Sequence, residues 1–194
     1  MNWRLAILRL YLPPAVKRNK LRELLSLTAD AFGCAAPGVD TAPIMDAAPS
    51  MDGLSHCDCL RRYALFTREQ AEKALERGSG LPKIRDRLYR NAHRFGQRIR
   101  RQLRVATPEE AVAAMRILYR AIGIDLAGEL PGEVVIDRCF FSDFYSEEVC
   151  RLISALDAGV AAGISGDSKL EFYQRLTGGY DCCRAHFRFK EDAR

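Results

Sequence analysis

The spacing of apolar residues changes near residue 131, and this change limits the folds that the chain can adopt. Before that point, apolar side chains recur every three or four positions, which is typical of amphipathic helices. After it, short segments alternate apolar with polar side chains, as strands do. We therefore expect an α+β fold, in which a helical N-terminal half precedes a strand-helix-strand-strand unit with a small antiparallel sheet.

The chain divides into four expected parts. Residues 1–34 form an N-terminal helical segment, 35–55 an irregular connection, 56–130 a helical part and 131–190 the α+β part that carries the site. The connection is rich in proline, glycine and aspartate, so it either lies over the core or is mobile. We expect the last two parts to form one compact domain.

End signals define the helices of the helical part. Thr67 and Gln70 have the spacing of a capping box, and Gly78 supplies a stop for that helix. A second helix covers about residues 83–103, and a third begins after Thr107, which precedes a proline and two glutamates.

The α+β part opens with a strand over residues 133–141, which are rich in β-branched and aromatic side chains. Ser146 then caps a helix. Residues 169–176 and 183–189 alternate in polarity and flank a double glycine, so they predict a β-hairpin.

Composition narrows the class of protein. The chain has 194 residues, of which 48% are apolar and 28% charged, and this excludes a disordered or fibrous protein. Seven cysteines are too few for a disulfide scaffold, and the odd number favours a reducing compartment. With no apolar run long enough to span a membrane, we expect a cytoplasmic protein without a membrane partner. Signature motifs of common NTPases, dehydrogenases, α/β-hydrolases and zincins are absent from the sequence.

Positive charge is concentrated in residues 83–104, where nine basic residues stand against one acid. Five arginines form a ridge at helical spacing: Arg87, Arg90, Arg94, Arg98 and Arg101. The ridge is either a solvated face or a source of side chains, such as Arg94 and Arg98, that bind an anionic substrate. We do not expect nucleic-acid binding, because no nucleic-acid-binding motif accompanies the ridge.

Cysteines and one aspartate are the candidate catalytic residues. Cys150 and Asp157 are seven positions apart in a helix, so they lie on nearly the same face, with Ser154 between them as a candidate substrate-binding residue. Cys150 is also close to the helix N-terminus, where the field favours a thiolate. Cys139 lies inside the preceding strand. Inert packing in the core is the alternative for both thiols.

Asp157 stands in an otherwise apolar helix, so it is either a general base or an acid satisfied by a hydrogen bond. Gly159 and Gly163 in that helix predict close approach of another backbone or of a ligand. In the last strand, alternation separates Cys183 from Cys182 and His186, and an exposed histidine is the simpler interpretation of His186.

A second cluster contains three residue types that bind metals, namely His56, Cys57 and Cys59. Its spacing lacks the usual gap between paired ligands, so it predicts a metal site only weakly. We therefore expect that the protein binds either no cofactor or a single metal ion.

The C-terminal part of the chain resembles the L-2-amino-thiazoline-4-carboxylic acid hydrolase family and, more distantly, the 4-vinyl reductase ligand-binding domain. The resemblance lies in the order of Cys139, Cys150, Asp157 and the segment Gly178 to Cys183. The resemblance covers about residues 133–189. It implies a hydrolase that opens a small thiazoline ring at a carbon-nitrogen bond. Its site residues would be Cys139, Cys150, Asp157 and Cys183, with an arginine for the substrate carboxylate.

A non-enzymatic module is the alternative. In that case the cysteine-rich half would bind a small ligand or a metal as a sensor, and the front helices would signal or form a homodimer.

Overall fold

The computed structural model describes residues 2–34, 47–128 and 132–189 of the chain. Within these ranges the chain forms six α-helices and a four-stranded sheet, so the expected α+β fold with a helical N-terminal half is confirmed. The helices are α1 (Trp3–Leu10), α2 (Pro14–Phe32), α3 (His56–Arg77), α4 (Leu81–Leu103), α5 (Pro108–Ala121) and α6 (Glu147–Ser165). No helix in these ranges combines the length and the apolar character needed to cross a membrane.

The sheet is antiparallel throughout and has the strand order β1-β2-β4-β3. Its strands are β1 (Ile124–Ala127), β2 (Gly132–Cys139), β3 (Lys169–Gln174) and β4 (Cys183–Arg188). The predicted hairpin is therefore confirmed as β3 and β4. The short strand β1 was not predicted, because four residues are too few to show alternation clearly.

The basic helix α4 packs closely against α6, and glycines on both helices make this approach feasible. A Cβ atom at Gly159 would meet the carbonyl oxygen of Tyr89, and one at Gly163 would meet that of His93. Gly96 faces them from α4, where an added Cβ would lie 2.6 Å from the carbonyl oxygen of Val160. The glycine pair thus serves contact between two backbones, one of the two outcomes expected of it.

Capping residues agree with the sequence for α5 and α6. Thr107 and Glu110 form a complete capping box at α5, and the Ser146 hydroxyl accepts the Val149 N–H at α6. The predicted capping box at Thr67 is wrong. Helix α3 already begins after Ser55, which caps it, and it continues through Thr67 to Gly78.

Thr67 lies in the middle of α3 because its hydroxyl finds other partners. It bonds to the Tyr63 carbonyl at 2.8 Å and contacts the Tyr145 hydroxyl, and the side chain is fully buried. A buried threonine inside a helix often bonds to the preceding turn, and a capping motif read from spacing alone does not separate these two cases.

Part of the connection packs on the core. Residues 35–46 lie outside the described residues, whereas residues 47–55 lead into α3 with Ala48 and Met51 buried. The described end of the connection therefore lies over the core. The predicted division into four parts stays a prediction.

Candidate active site

A cavity of about 80 Å³ lies between α5, α6 and the end of β2. Its wall includes four residues that the sequence predicts as catalytic or substrate-binding: Cys139, Cys150, Ser154 and Asp157. Aromatic and aliphatic side chains form most of the remaining wall, among them Tyr63, Tyr119, Phe141, Tyr145, Ile153 and Val160. The cavity is therefore an apolar chamber in which a few reactive groups share one space.

Among the described residues that line this wall, Asp157 is the only acid, and burial has the largest effect on its pKa. The Tyr119 hydroxyl donates a hydrogen bond of 2.8 Å to its Oδ1 atom. Burial raises the pKa of Asp157 to about 6, against the lowering effects of the Tyr119 hydrogen bond and the Arg175 charge. Near neutral pH the carboxylate is ionised and is basic enough to take up a proton.

The two cysteines of the wall are neutral thiols at the same pH. Burial raises the pKa of Cys139 to about 12. Burial also raises the pKa of Cys150, although the nearby Thr177 hydroxyl and Arg175 oppose it. The expectation that the helix N-terminus favours a Cys150 thiolate is therefore wrong, because desolvation outweighs the helix field.

Cys183 lies close to the same groups. It is buried on β4, and its Sγ atom accepts the Leu176 backbone N–H at 3.3 Å. Burial raises the pKa of its thiol, and the charges of Cys150 and Asp157 act in the same direction. Of the adjacent pair, Cys183 thus faces the core.

Cys182 and His186 have other surroundings. Cys182 is half-buried, and its carbonyl oxygen accepts the Gln174 side-chain amide at 3.2 Å. His186 is exposed and stacks on Tyr173 with ring centroids 4.7 Å apart. The arrangement matches the interpretation of His186 as a surface histidine.

Arg175 was missed in the sequence, yet it lies at the mouth of this site. Its Nη2 atom donates to the Ser154 Oγ at 3.2 Å, and its guanidinium lies 4.8 Å from the centroid of the Phe172 ring. The pairing of β3 with β4 shifts between Phe172 and Gln174, and such a bulge reverses the alternation beyond it. Simple alternation does not include this shift, so it gave no signal for Arg175.

Tyr119 was also missed. It occupies a run of apolar residues in α5, where its spacing is that of a core residue, and it is only 2% exposed. Its contact with Asp157 joins residues 38 positions apart. No local pattern in the sequence carries that information.

The predicted substrate-binding arginines of α4 lie elsewhere. Arg98 donates to Glu23 of α2 from its Nε atom at 3.0 Å, and Arg94 is exposed. Where α4 meets the glycines of α6, the contacts are made by Ala92, Gly96 and the backbone of their neighbours. Neither arginine is among the residues on the cavity wall.

The residues of the predicted metal cluster have separate partners. The His56 Nε2 atom lies 2.9 Å from the Ala121 carbonyl oxygen, Cys57 is exposed, and buried Cys59 has its sulfur 3.8 Å from the Met51 carbonyl oxygen. Among the described residues, no three His, Cys, Asp or Glu side chains form a group that could hold a metal ion.

Comparison with known proteins finds no family model that matches this chain and no curated protein that matches it.

Proposed function

We propose that this protein is a small-molecule hydrolase that opens a thiazoline-type ring at a carbon-nitrogen bond, with Asp157 as the group that moves the proton. The observation that carries the proposal is the single cavity that Asp157, Cys139 and Cys150 line together. The order of these residues along the chain, which resembles the amino-thiazoline hydrolase family, supports the same substrate class.

The first step uses the ionised carboxylate of Asp157 as a general base. It takes a proton from a water molecule, and the hydroxide oxygen bonds to the amidine-like ring carbon. The electrons of the carbon-nitrogen double bond move to the ring nitrogen, which takes from Asp157 the proton that came from the water, so that Asp157 is again a carboxylate. When the tetrahedral intermediate collapses, its hydroxyl forms a carbonyl, the carbon-nitrogen single bond breaks, and Asp157 transfers the hydroxyl proton to the leaving nitrogen.

Cys150 is the alternative nucleophile, because its thiol lines the same wall. Burial raises the pKa of this thiol above its ordinary value, whereas the pKa of Asp157 is about 6. Proton transfer from Cys150 to Asp157 is therefore uphill, but water is a weaker acid still, so acidity does not separate the two nucleophiles, and we take water as the attacking group. The thiols would then act as weak hydrogen-bond donors and as packing around the substrate ring.

The volume of the cavity limits the size of the part of the substrate that can enter it. About 80 Å³ is room for a few water molecules or for one small ring. A larger substrate would have to place its remaining atoms outside the cavity, on the side of Ser154.

The test is hydrolysis of L-2-amino-thiazoline-4-carboxylate by the full chain. Replacing Asp157 with Asn should lower kcat/KM by about 100-fold to 10,000-fold, since it removes the general base. Wild-type activity should rise with pH through the pKa of Asp157, which is about 6. Cys57→Ser is the matched control, because Cys57 is exposed and its exchange should leave activity unchanged.

Two results would overturn the proposal. One is full activity in Asp157→Asn, and the other is a wild-type protein that does not hydrolyse this ring or related cyclic amidines. Cys150→Ser separates the two nucleophiles. Loss of a few-fold in activity is expected if water attacks, and loss as large as that of Asp157→Asn is expected if the thiol attacks.

A ligand-binding module is the second candidate, favoured by the apolar wall and the neutral thiols of the cavity. In that case a small apolar ligand would copurify with the protein, and Asp157→Asn would bind it at least as tightly as the wild type. Mass spectrometry of the protein under native conditions reports both properties.

A further inference from the structure

Arg175 is a half-buried cation that has no acidic partner among the described residues. None of the ion pairs within these ranges includes it. It donates a hydrogen bond to the neutral Ser154 hydroxyl at 3.2 Å, and it also interacts with the Cys150 thiol and, through its charge, with Asp157. A guanidinium withdrawn partly from water, with donors left over, is suited to bind an anion.

The position of Arg175 is held from two sides. The Phe172 ring supports one face of the guanidinium at 4.8 Å. Ser154, which receives its hydrogen bond, itself donates to the Arg151 carbonyl oxygen of α6 at 2.9 Å. Because these contacts restrict the side chain before any ligand arrives, less conformational entropy is lost on binding.

Ser154 also marks a boundary. It lines the inner cavity together with Asp157, and it lines an outer groove of about 490 Å³ together with Arg175. The groove runs between α4, α6 and β3. The groove and the inner cavity therefore meet at Ser154, with Arg175 on the groove side and Asp157 on the cavity side.

We propose that Arg175 and Ser154 form an anion subsite at this boundary, which binds the carboxylate of a small molecule whose ring extends into the inner cavity. The identity of the reacting ring rests on the proposed function, whereas binding of the carboxylate does not. Asp157 has its own hydrogen-bond partner in the Tyr119 hydroxyl, and Arg175 acts on it through its charge without forming an ion pair.

The test compares thiazole-4-carboxylate with thiazole-4-carboxamide, two unreactive rings that differ in the charge of one group. Isothermal titration of the full chain should show the carboxylate binding about 10-fold to 100-fold more tightly, the range of a hydrogen-bonded charge pair. Arg175→Gln should remove this preference, and Arg175→Lys should keep part of it. Arg188→Gln, an exposed arginine on β4, controls for the change in net charge and should keep all of it.

Equal binding of the two probes by the wild type, or no binding of the carboxylate, would overturn the subsite. So would an Arg175→Gln variant that keeps the preference for the carboxylate and only shifts the pH profile, since Arg175 would then act on Asp157 alone. Circular dichroism of each variant verifies the fold. A wild type that binds the carboxylate through Arg175 but hydrolyses no ring would refute the proposed function and leave the subsite standing.

Discussion

Helix α6 has two faces with different surroundings: one packs tightly against a neighbouring helix, and the other borders a cavity. Toward α4 it presents Gly159 and Gly163, and the two backbones touch without room for a side chain. Toward α5 and β2 it presents Cys150 and Asp157, and a cavity separates the elements. One side of the helix thus anchors it rigidly, and the other side carries the reactive groups that this anchoring holds in place.

The contrast predicts different sensitivities on the two faces. Changes on the glycine face should alter stability at every pH, because they disturb packing. Changes on the cavity face should alter properties that depend on pH, because they act through the ionisation of Asp157. Four measurements test this difference.

The largest effect is expected from the pH dependence of stability at Asp157. Its pKa is about 6 in the fold against an ordinary value of 3.8, so between these pH values the folded state holds a proton that the unfolded state has lost. The group's contribution to the free energy of unfolding therefore falls as pH rises through this window, by about 3 kcal/mol in total. Urea denaturation of Asp157→Asn should show a relative gain of this order above pH 6, and parallel curves for the two proteins would contradict it.

Gly163→Ala should lower the free energy of unfolding by about 2 kcal/mol at all pH values. The added methyl group meets the His93 carbonyl and the Gly96 backbone, and the strain exceeds the gain in helix propensity of about 1 kcal/mol. Gly178→Ala is the control, since the nearest atoms lie at 3.4 Å in the Glu147 side chain. Thermal or urea denaturation measures both, and equal stability of the two variants would argue against the tight crossing.

Tyr119→Phe tests whether the Tyr119 hydroxyl stabilises the charged form of Asp157 on the cavity face. Its hydroxyl stabilises the charged form of Asp157, so its removal should raise the pKa of Asp157 further and destabilise the fold by about 1.5 kcal/mol above pH 6. Tyr63→Phe removes a buried hydroxyl that contacts the neutral Thr28 hydroxyl at 3.2 Å, so its cost should not vary with pH. The same pH dependence in both variants would refute the assignment.

The smallest effect is expected on the exposed face of α6. Arg151 and Glu147 form an ion pair between side chains that are 66% and 43% exposed. Arg151→Gln should therefore change the free energy of unfolding by about 0.5 kcal/mol or less, an effect that salt suppresses. A loss above about 1 kcal/mol would show that this surface supports the site more than its exposure indicates.

Much of the fold could be predicted because its signals are local. The cap at Thr107, the cap at Ser146 and the buried stripe of α4 depend on residues within a few positions of one another. Where a local signal was ambiguous the prediction was wrong, as at Thr67, whose hydroxyl contacts Tyr145 at a distance of 78 residues along the chain. The bulge that turns Arg175 inward likewise depends on pairing with β4.

The sequence alone determined the caps of α5 and α6 and that Cys150 and Asp157 share a face of one helix, because periodicity and capping act over a turn or two. Only the tertiary structure decided that Cys139 joins them around one cavity, that Tyr119 bonds to the carboxylate and that Arg175, rather than an arginine of α4, contacts Ser154. It also decided the protonation of the thiols and of Asp157. Burial controls those pKa values, and burial is produced by residues far away in the chain.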